Sequence, residues 1–300
     1  MLFRSTEDLL RLATGGSGVL PNGAISPDLV DRLAREASKV AGQMLNICIR
    51  ALDYCPPIDI TFGEYLRALI TADYDLVPYD RLGYRVAFIE AFRDRGIYPR
   101  DVKHLSPGSL RWEPPPLALH QAKVKEVLKL MSTDWDLKSR RKDAYDLSNT
   151  NARVFWHWLM DKDAVGDDEL ATLGLMRIDQ PQPYRIGTYD GELRRVEVHS
   201  VRPVRRVSPD GNILSDLVVE VTQSFRPTGM PGARFRGGCT LIVDLGTGEV
   251  RYMVRKKVDS PWRIQKQMGF AAAATDLGAN YFTDEAGARE PFAMIHHVHG

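Results

Sequence analysis

Residues 51–99 read ALDYCPPIDITFGEYLRALITADYDLVPYDRLGYRVAFIEAFRDRGIYP, and their punctuation decides how the N-terminal third folds. Cys55-Pro56-Pro57 stops a preceding helix, because proline lacks an N–H and restricts the residue before it. Thr61 with Glu64 three residues on has the spacing of a capping box. The stripe Phe62, Tyr65, Leu66, Leu69 and Ile70 then predicts a helix with those side chains inside. Asp80 is placed to cap a third helix, with Leu82, Val86, Ile89, Ala91 and Phe92 inside and Gly96 closing it as a C′ glycine. Upstream, Ser26-Pro27-Asp28 is a strong helix start: an N-cap, a proline at the first position and an acid in the first turn. Leu29, Leu33, Ala37, Val40, Met44, Ile47, Cys48 and Leu52 recur at three- and four-residue steps after it. A shorter amphipathic helix, Thr6 to Ala13, precedes and is stopped by Gly15-Gly16. Short connections of this kind predict a bundle of antiparallel neighbours.

Working outward, residues 99–116 contain Pro99, Pro107, Pro114, Pro115 and Pro116, the composition of a linker or extended strap. A helix is expected from Ala118 to Met131, another from a cap at Asn149 or Thr150 through Trp158, and a short one from Asp167. From Tyr184 the apolar period becomes two. VEVHSVRPV, ILSDLVVEVTQSF, CTLIVDLGTGEV and VRYMVRKKV read as strands, with turns at Pro209-Asp210-Gly211-Asn212 and Leu245-Gly246-Thr247-Gly248. Leu217, Val219 and Val221 alternate with Glu220, Thr222 and Ser224, which predicts an antiparallel sheet with one wet face. A last helix starts at Ser260-Pro261 and runs to about Leu277, and residues 286–300 form a tail. The expected fold is therefore α+β. A helical domain over 1–98 and a Pro-rich linker over 99–116 lead to an α+β domain over 117–285, an antiparallel sheet flanked by helices.

The segment from Leu29 to Pro99 resembles the last helices of the C-terminal lobe of thermolysin-like and fungalysin-like zinc metallopeptidases, the gluzincins. The resemblance rests on Cys55-Pro56-Pro57, on Phe62, Leu66, Ala68, Ile70, Ala72 and Asp73, and on Glu90-Ala91-Phe92 followed by Arg95-Gly96-Ile97. In that family the second lobe is a helical bundle closing one side of the active-site cleft. The resemblance implies a role beside a catalytic peptidase lobe, as the C-terminal portion of a longer zinc-peptidase-like protein. The family's zinc site needs HExxH on one helix, so that two histidines share a face and the glutamate activates water. This sequence contains no His-Glu pair and no HxxxH. The expectation is a chain with no catalytic residue, no metal ligand and no cofactor of its own.

Composition narrows the other classes. Forty basic and 39 acidic residues leave a net charge of +1, so nothing pulls the whole chain toward nucleic acid or an anionic membrane. Cys48, Cys55 and Cys239 form no CxxC pair, which fits a reducing compartment. The N-terminus lacks a signal-peptide pattern and no stretch has the length of a membrane span, which together point to the cytoplasm. No P-loop, dinucleotide fingerprint or GxSxG motif is present. His296, His297 and His299 cluster near the C-terminus, but a loose tail has no groups to orient metal ligands.

One alternative comes from charge. Residues 226–257 hold seven Lys or Arg against two acids, and Arg194, Arg195, Arg202, Arg205 and Arg206 add to them. Strand alternation puts Arg251, Arg255 and Lys257 on one face, opposite Val250, Tyr252 and Val254. Arg194, Arg195, Arg251, Arg255 and Lys257 are thus candidate contacts for an anion or a protein partner, and the chain a self-contained binding module.

Overall fold

The computed structural model describes residues 2–19, 26–116, 121–132, 140–208, 211–229 and 234–272. The fold is α+β, as expected. The chain divides into a helical unit, Met1–Cys55, Asp59–Glu113 and Arg205–Ser215, and a sheet unit, Pro56–Ile58, Pro114–Val204 and Asp216–Gly300.

The helical unit contains α1 (Leu2–Ala13), α2 (Pro27–Ala51), a 3-10 turn (Leu52–Tyr54), α3 (Phe62–Leu76), α4 (Tyr84–Arg93) and α5 (Pro107–Leu110). Its local signals act as the sequence implies. Ser26 Oγ accepts the Leu29 N–H at 3.2 Å. Thr61 and Glu64 close both halves of the capping box, Thr61 N to Glu64 Oε2 at 2.8 Å and Glu64 N to Thr61 Oγ1 at 3.3 Å. Gly96 takes φ +68° after α4, and Ile97 N donates to Phe92 O at 3.0 Å. α3 is the central element, packed against α2, the 3-10 turn, α4 and α5. Leu66, Ala68, Leu69, Ile70, Ala72 and Leu76 on it are all buried. The chain crosses the start of α3 so closely that a Cβ on Gly63 would lie 2.8 Å from Pro99 Cα.

The Pro-rich strap is not wholly extended, since α5 forms in it under a Ser106 cap. Arg67 holds the strap by donating to Leu110 O and Arg111 O at 3.2 and 3.1 Å while stacking on Trp112. Trp112 donates its indole N–H to Tyr54 O at 2.9 Å. Several apolar residues expected inside are instead exposed: Leu52, Phe62, Leu82 and Val86. Their helices present them outside the small core that α3 organises.

The sheet unit carries α6 (Gln121–Leu128), α7 (Arg141–Met160), α8 (Asp167–Thr172), β1 (Tyr184–Ile186), β2 (Tyr189–Leu193), β3 (Glu197–Val207), β4 (Ile213–Pro227), β5 (Phe235–Asp244), β6 (Val250–Lys256) and α9 (Pro261–Ala272). The tip of the β3–β4 hairpin is the part that belongs to the helical unit. α7 begins at Arg141, not at Asn149 or Thr150. The Asp143 carboxylate accepts the Arg140 N–H at 3.2 Å, and Asn151, buried mid-helix, clamps the backbone of Ser132 through both amide atoms. The strands run β1-β2-β4-β5-β6, with β3 also paired to β4. Antiparallel pairing joins β1 with β2, β2 with β4, β4 with β5, and β5 with β6.

One sheet face carries Leu217, Val219, Val221, Cys239, Leu241, Val243, Val250 and Met253 against Val124 and Val127 of α6, Phe155 and Leu159 of α7 and Leu170 of α8. A second cluster joins Tyr184, Ile186, Leu193, Phe225 and Phe235 to Val258 and to Ile264 and Met268 of α9. The face expected to be wet is buried along β4: Asp216, Val218, Thr222 and Ser224 are all inside. Three of the polar side chains along it are paired with residues of other strands. Thr222 Oγ1 lies 2.6 Å from His199 Nε2, Glu220 lies 3.7 Å from Arg202, and Asp216 accepts from Arg251 at 2.7 Å. No described helix is long and apolar enough to cross a membrane. The His296, His297 and His299 cluster, the tail, the end of the last helix and the first residues of the helix expected from Ala118 lie outside the described residues.

Candidate functional site

The five basic residues singled out from the sequence do not share a face. β5 and β6 pair Ile242 with Tyr252 but Val243 with Val250, so Arg251 is the extra residue of a β-bulge. The bulge resets the alternation. Arg251 turns to the polar face and bonds Asp216, which is fully buried. Arg255 pairs in register with Cys239, on the helix-covered side, and donates to Thr172 O at 2.5 Å at the end of α8. Lys257 lies past the end of β6 and is exposed. Arg194 and Arg195 sit between β2 and β3, on the far side of β4 from β6, and Arg194 is hydrogen-bonded to Glu192. Arg206 is removed from the sheet surface altogether. It is buried in the helical unit, 2.8 Å from Asp53.

The helical unit offers a different surface. Val30, Ala34, Ser38, Ala41, Leu45, Ile49 and Leu52 are all exposed and recur at three- and four-residue steps along α2 and into the turn after it. At 100° per residue they fall within an arc of about 100°. Leu45 is 60% exposed, Ile49 55% and Leu52 58%, so three large apolar side chains face outward in one patch. The residues flanking the stripe at its N-terminal end pair with each other, Arg32 with Asp28 at 2.9 Å and Arg35 with Asp31 at 3.5 Å. The stripe is therefore apolar at one end, small in the middle and electrically neutral at its margins. Sequence reading could have found it. The periodic set around Leu29 and Ile47 occupies one side of α2, and a second period with small residues runs along the other.

Buried charge collects inside the same unit. Asp73 on α3 is pushed up to about 6, first by burial, with Arg85 pulling it down and Asp80 adding to the rise. Burial likewise lowers Arg50 and Arg67. Tyr65, which donates to Cys48 O at 3.0 Å, is raised by burial and by the neighbouring Cys48. In the sheet unit, full burial drives the Cys239 thiol up to about 12, far from a reactive thiolate. Among the described residues no three His, Cys, Asp or Glu side chains are grouped to hold a metal ion.

No protein-family model matches the chain, and no curated protein or solved structure matches it either.

Proposed function

We propose that the chain is a non-catalytic docking part of a zinc-peptidase-like assembly, in which the helical unit sits against a catalytic lobe carried elsewhere. The observation that carries this reading is the outward stripe of α2. A helix that already buries Leu29 and Ile47 on one side has no reason to expose Leu45, Ile49 and Leu52 on the other unless a further element covers them. The resemblance of residues 29–99 to the C-terminal lobe of gluzincins supports a catalytic lobe as that element, and the sequence carries no HExxH of its own. The basic sheet residues support an anion-binding role less well, because Arg251, Arg255 and Arg194 are each engaged within the protein.

The test is the size of the native gene product and its company. An immunoblot against the sheet unit is expected to show a band well above 33.8 kDa, with HExxH in the additional sequence. The other supporting result is a 33.8 kDa band whose tagged form retains an HExxH-bearing chain and loses it on Leu45→Glu/Ile49→Glu. A 33.8 kDa band with no such partner overturns the proposal.

A further inference from the structure

The start of α9 and the strand ends beside it form a basic surface within the sheet unit. Residues 256–266 hold four Lys or Arg against one acid, Asp259, and the start of β5 adds Arg234 and Arg236. The fold gathers them. The chain leaving β6 crosses β5 in backbone contact, so that a Cβ on Gly237 would lie 2.2 Å from Val258 N. This crossing brings Lys257 beside Arg236, and both are exposed. Arg263 of α9 spans the two backbones, Nη1 donating to Lys257 O at 2.9 Å and Nη2 to Arg236 O at 3.0 Å, with its guanidinium 4.8 Å from the Phe235 ring centroid. Gln267, one turn on, donates to Arg234 O at 3.1 Å and pins α9 along the start of β5. At 100° per residue, Trp262, Lys266 and Arg263 fall within an arc of about 100° on α9. Lys266 Nζ lies 5.8 Å from the Trp262 ring. Trp262 is 56% exposed, while Ile264 and Met268 of the same helix are buried. Of the five basic residues expected to share a face, only Lys257 belongs here.

We propose that this surface binds single-stranded nucleic acid, with one base stacked on Trp262 and the neighbouring phosphates held by Lys257, Lys266 and Arg236. An exposed indole set among cations offers both parts of such a site, a flat face for any base and charge for the backbone. A duplex would keep its bases from the ring, so the strand must be single. An anionic membrane needs a wider apolar face to insert. Among the side chains described on β5, β6 and α9, Trp262 is the one large apolar group left exposed. The chain's net charge is only +1, so the attraction is local to this surface and falls steeply with salt. The surface is separate from the α2 stripe, and either reading can fail without the other.

The experiment is fluorescence anisotropy of a labelled oligothymidylate of about twelve nucleotides, titrated with the full chain at about 50 to 200 mM salt. With three phosphates neutralised, the logarithm of the affinity is expected to fall with the logarithm of salt at a slope of about −2. Trp262→Ala is expected to weaken binding by at least about fivefold, the loss of one stacked base. Lys257→Gln/Lys266→Gln is expected to make the salt slope shallower by about 1.4, for two phosphates released. All three substitutions fall on exposed side chains. No binding at about 50 mM salt and about 100 µM protein overturns the proposal. A smaller loss in Trp262→Ala also overturns it, as attraction to a polyanion without stacking, and so does a salt slope that the lysine pair leaves unchanged. Capture by phosphatidylserine vesicles in place of the oligonucleotide overturns it in favour of a membrane surface.

Discussion

Replacing Arg206 with methionine tests how much of the helical unit depends on charge buried at its centre. Arg206 is 4% exposed and Asp53 15% exposed at the side chain, with 2.8 Å between them, and the guanidinium also lies 5.2 Å from the Tyr54 ring centroid. Methionine preserves most of the apolar stem, so the loss is chiefly the charge. Removing one partner of a fully buried pair costs about 3–5 kcal/mol, mainly because the other charge is left desolvated. Asp53 retains some contact with water, which brings the expected cost to the bottom of that range or below it, about 2–3 kcal/mol. Adding Asp53→Asn removes the stranded charge and should recover at least about 1.5 kcal/mol, a coupling measured by the double-mutant cycle. Amide exchange of α3 peptides under increasing urea is the assay, because it reports the helical unit rather than the whole chain. The single variant should shift the opening midpoint down by about 1–2 M urea. If the double variant is as unstable as the single one, or Arg206→Met lies within about 0.5 kcal/mol of the parent, the pair is not what holds the hairpin tip in this unit.

The other consequences are simpler to measure. Cys239 is fully buried with its thiol driven up to about 12, so it should resist alkylation at pH 8 in the folded chain and react once urea unfolds it; rapid native-state labelling would show the sheet to be open there. The free chain should sediment at 33.8 kDa at concentrations on the order of tens of micromolar, and a dimer mass in that range would mean that the α2 stripe is used by a second copy.

What the sequence makes legible is what is decided within a few residues. The Ser26 cap, the Thr61–Glu64 box and the Gly96 stop each involve groups three to five positions apart, and all three appear as read. The alternation of Leu217, Val219 and Val221 also places them together, on the side that α6, α7 and α8 cover. The start of α7 was hidden because Arg141 to Ser148 shows no apolar period, and its support comes from Asp143 and from Asn151 gripping Ser132. The shared face expected of Arg251, Arg255 and Lys257 breaks at a register event. One extra residue at Arg251 moves it to the face opposite Arg255, and a bulge is a property of two paired strands that neither strand announces alone. The buried polar face of β4 has the same origin, since Thr222 and Asp216 find their partners on other strands.

The magnitudes also bear on what kind of partner the α2 stripe suits. Val30 is 49% exposed and Leu45, Ile49 and Leu52 are 55–60% exposed, so covering them removes roughly half of each side chain from water. Fully burying one such side chain yields about 1.5–3 kcal/mol, so the stripe offers ~4–5 kcal/mol in all. Free association costs about 4–15 kcal/mol in lost translational and rotational freedom, so a lone helix meeting the stripe from solution gains little or nothing. A partner tethered to the same polypeptide meets it at an effective concentration of about millimolar or above, and a lobe that covers more than the stripe adds further area. The small residues Ala34, Ser38 and Ala41 let such a partner approach the α2 backbone closely, which increases dispersion contact without adding charge to desolvate. The stripe alone is weak for recruiting a lone helix and better suited to seat a lobe that covers more than the stripe, the role proposed for the helical unit above.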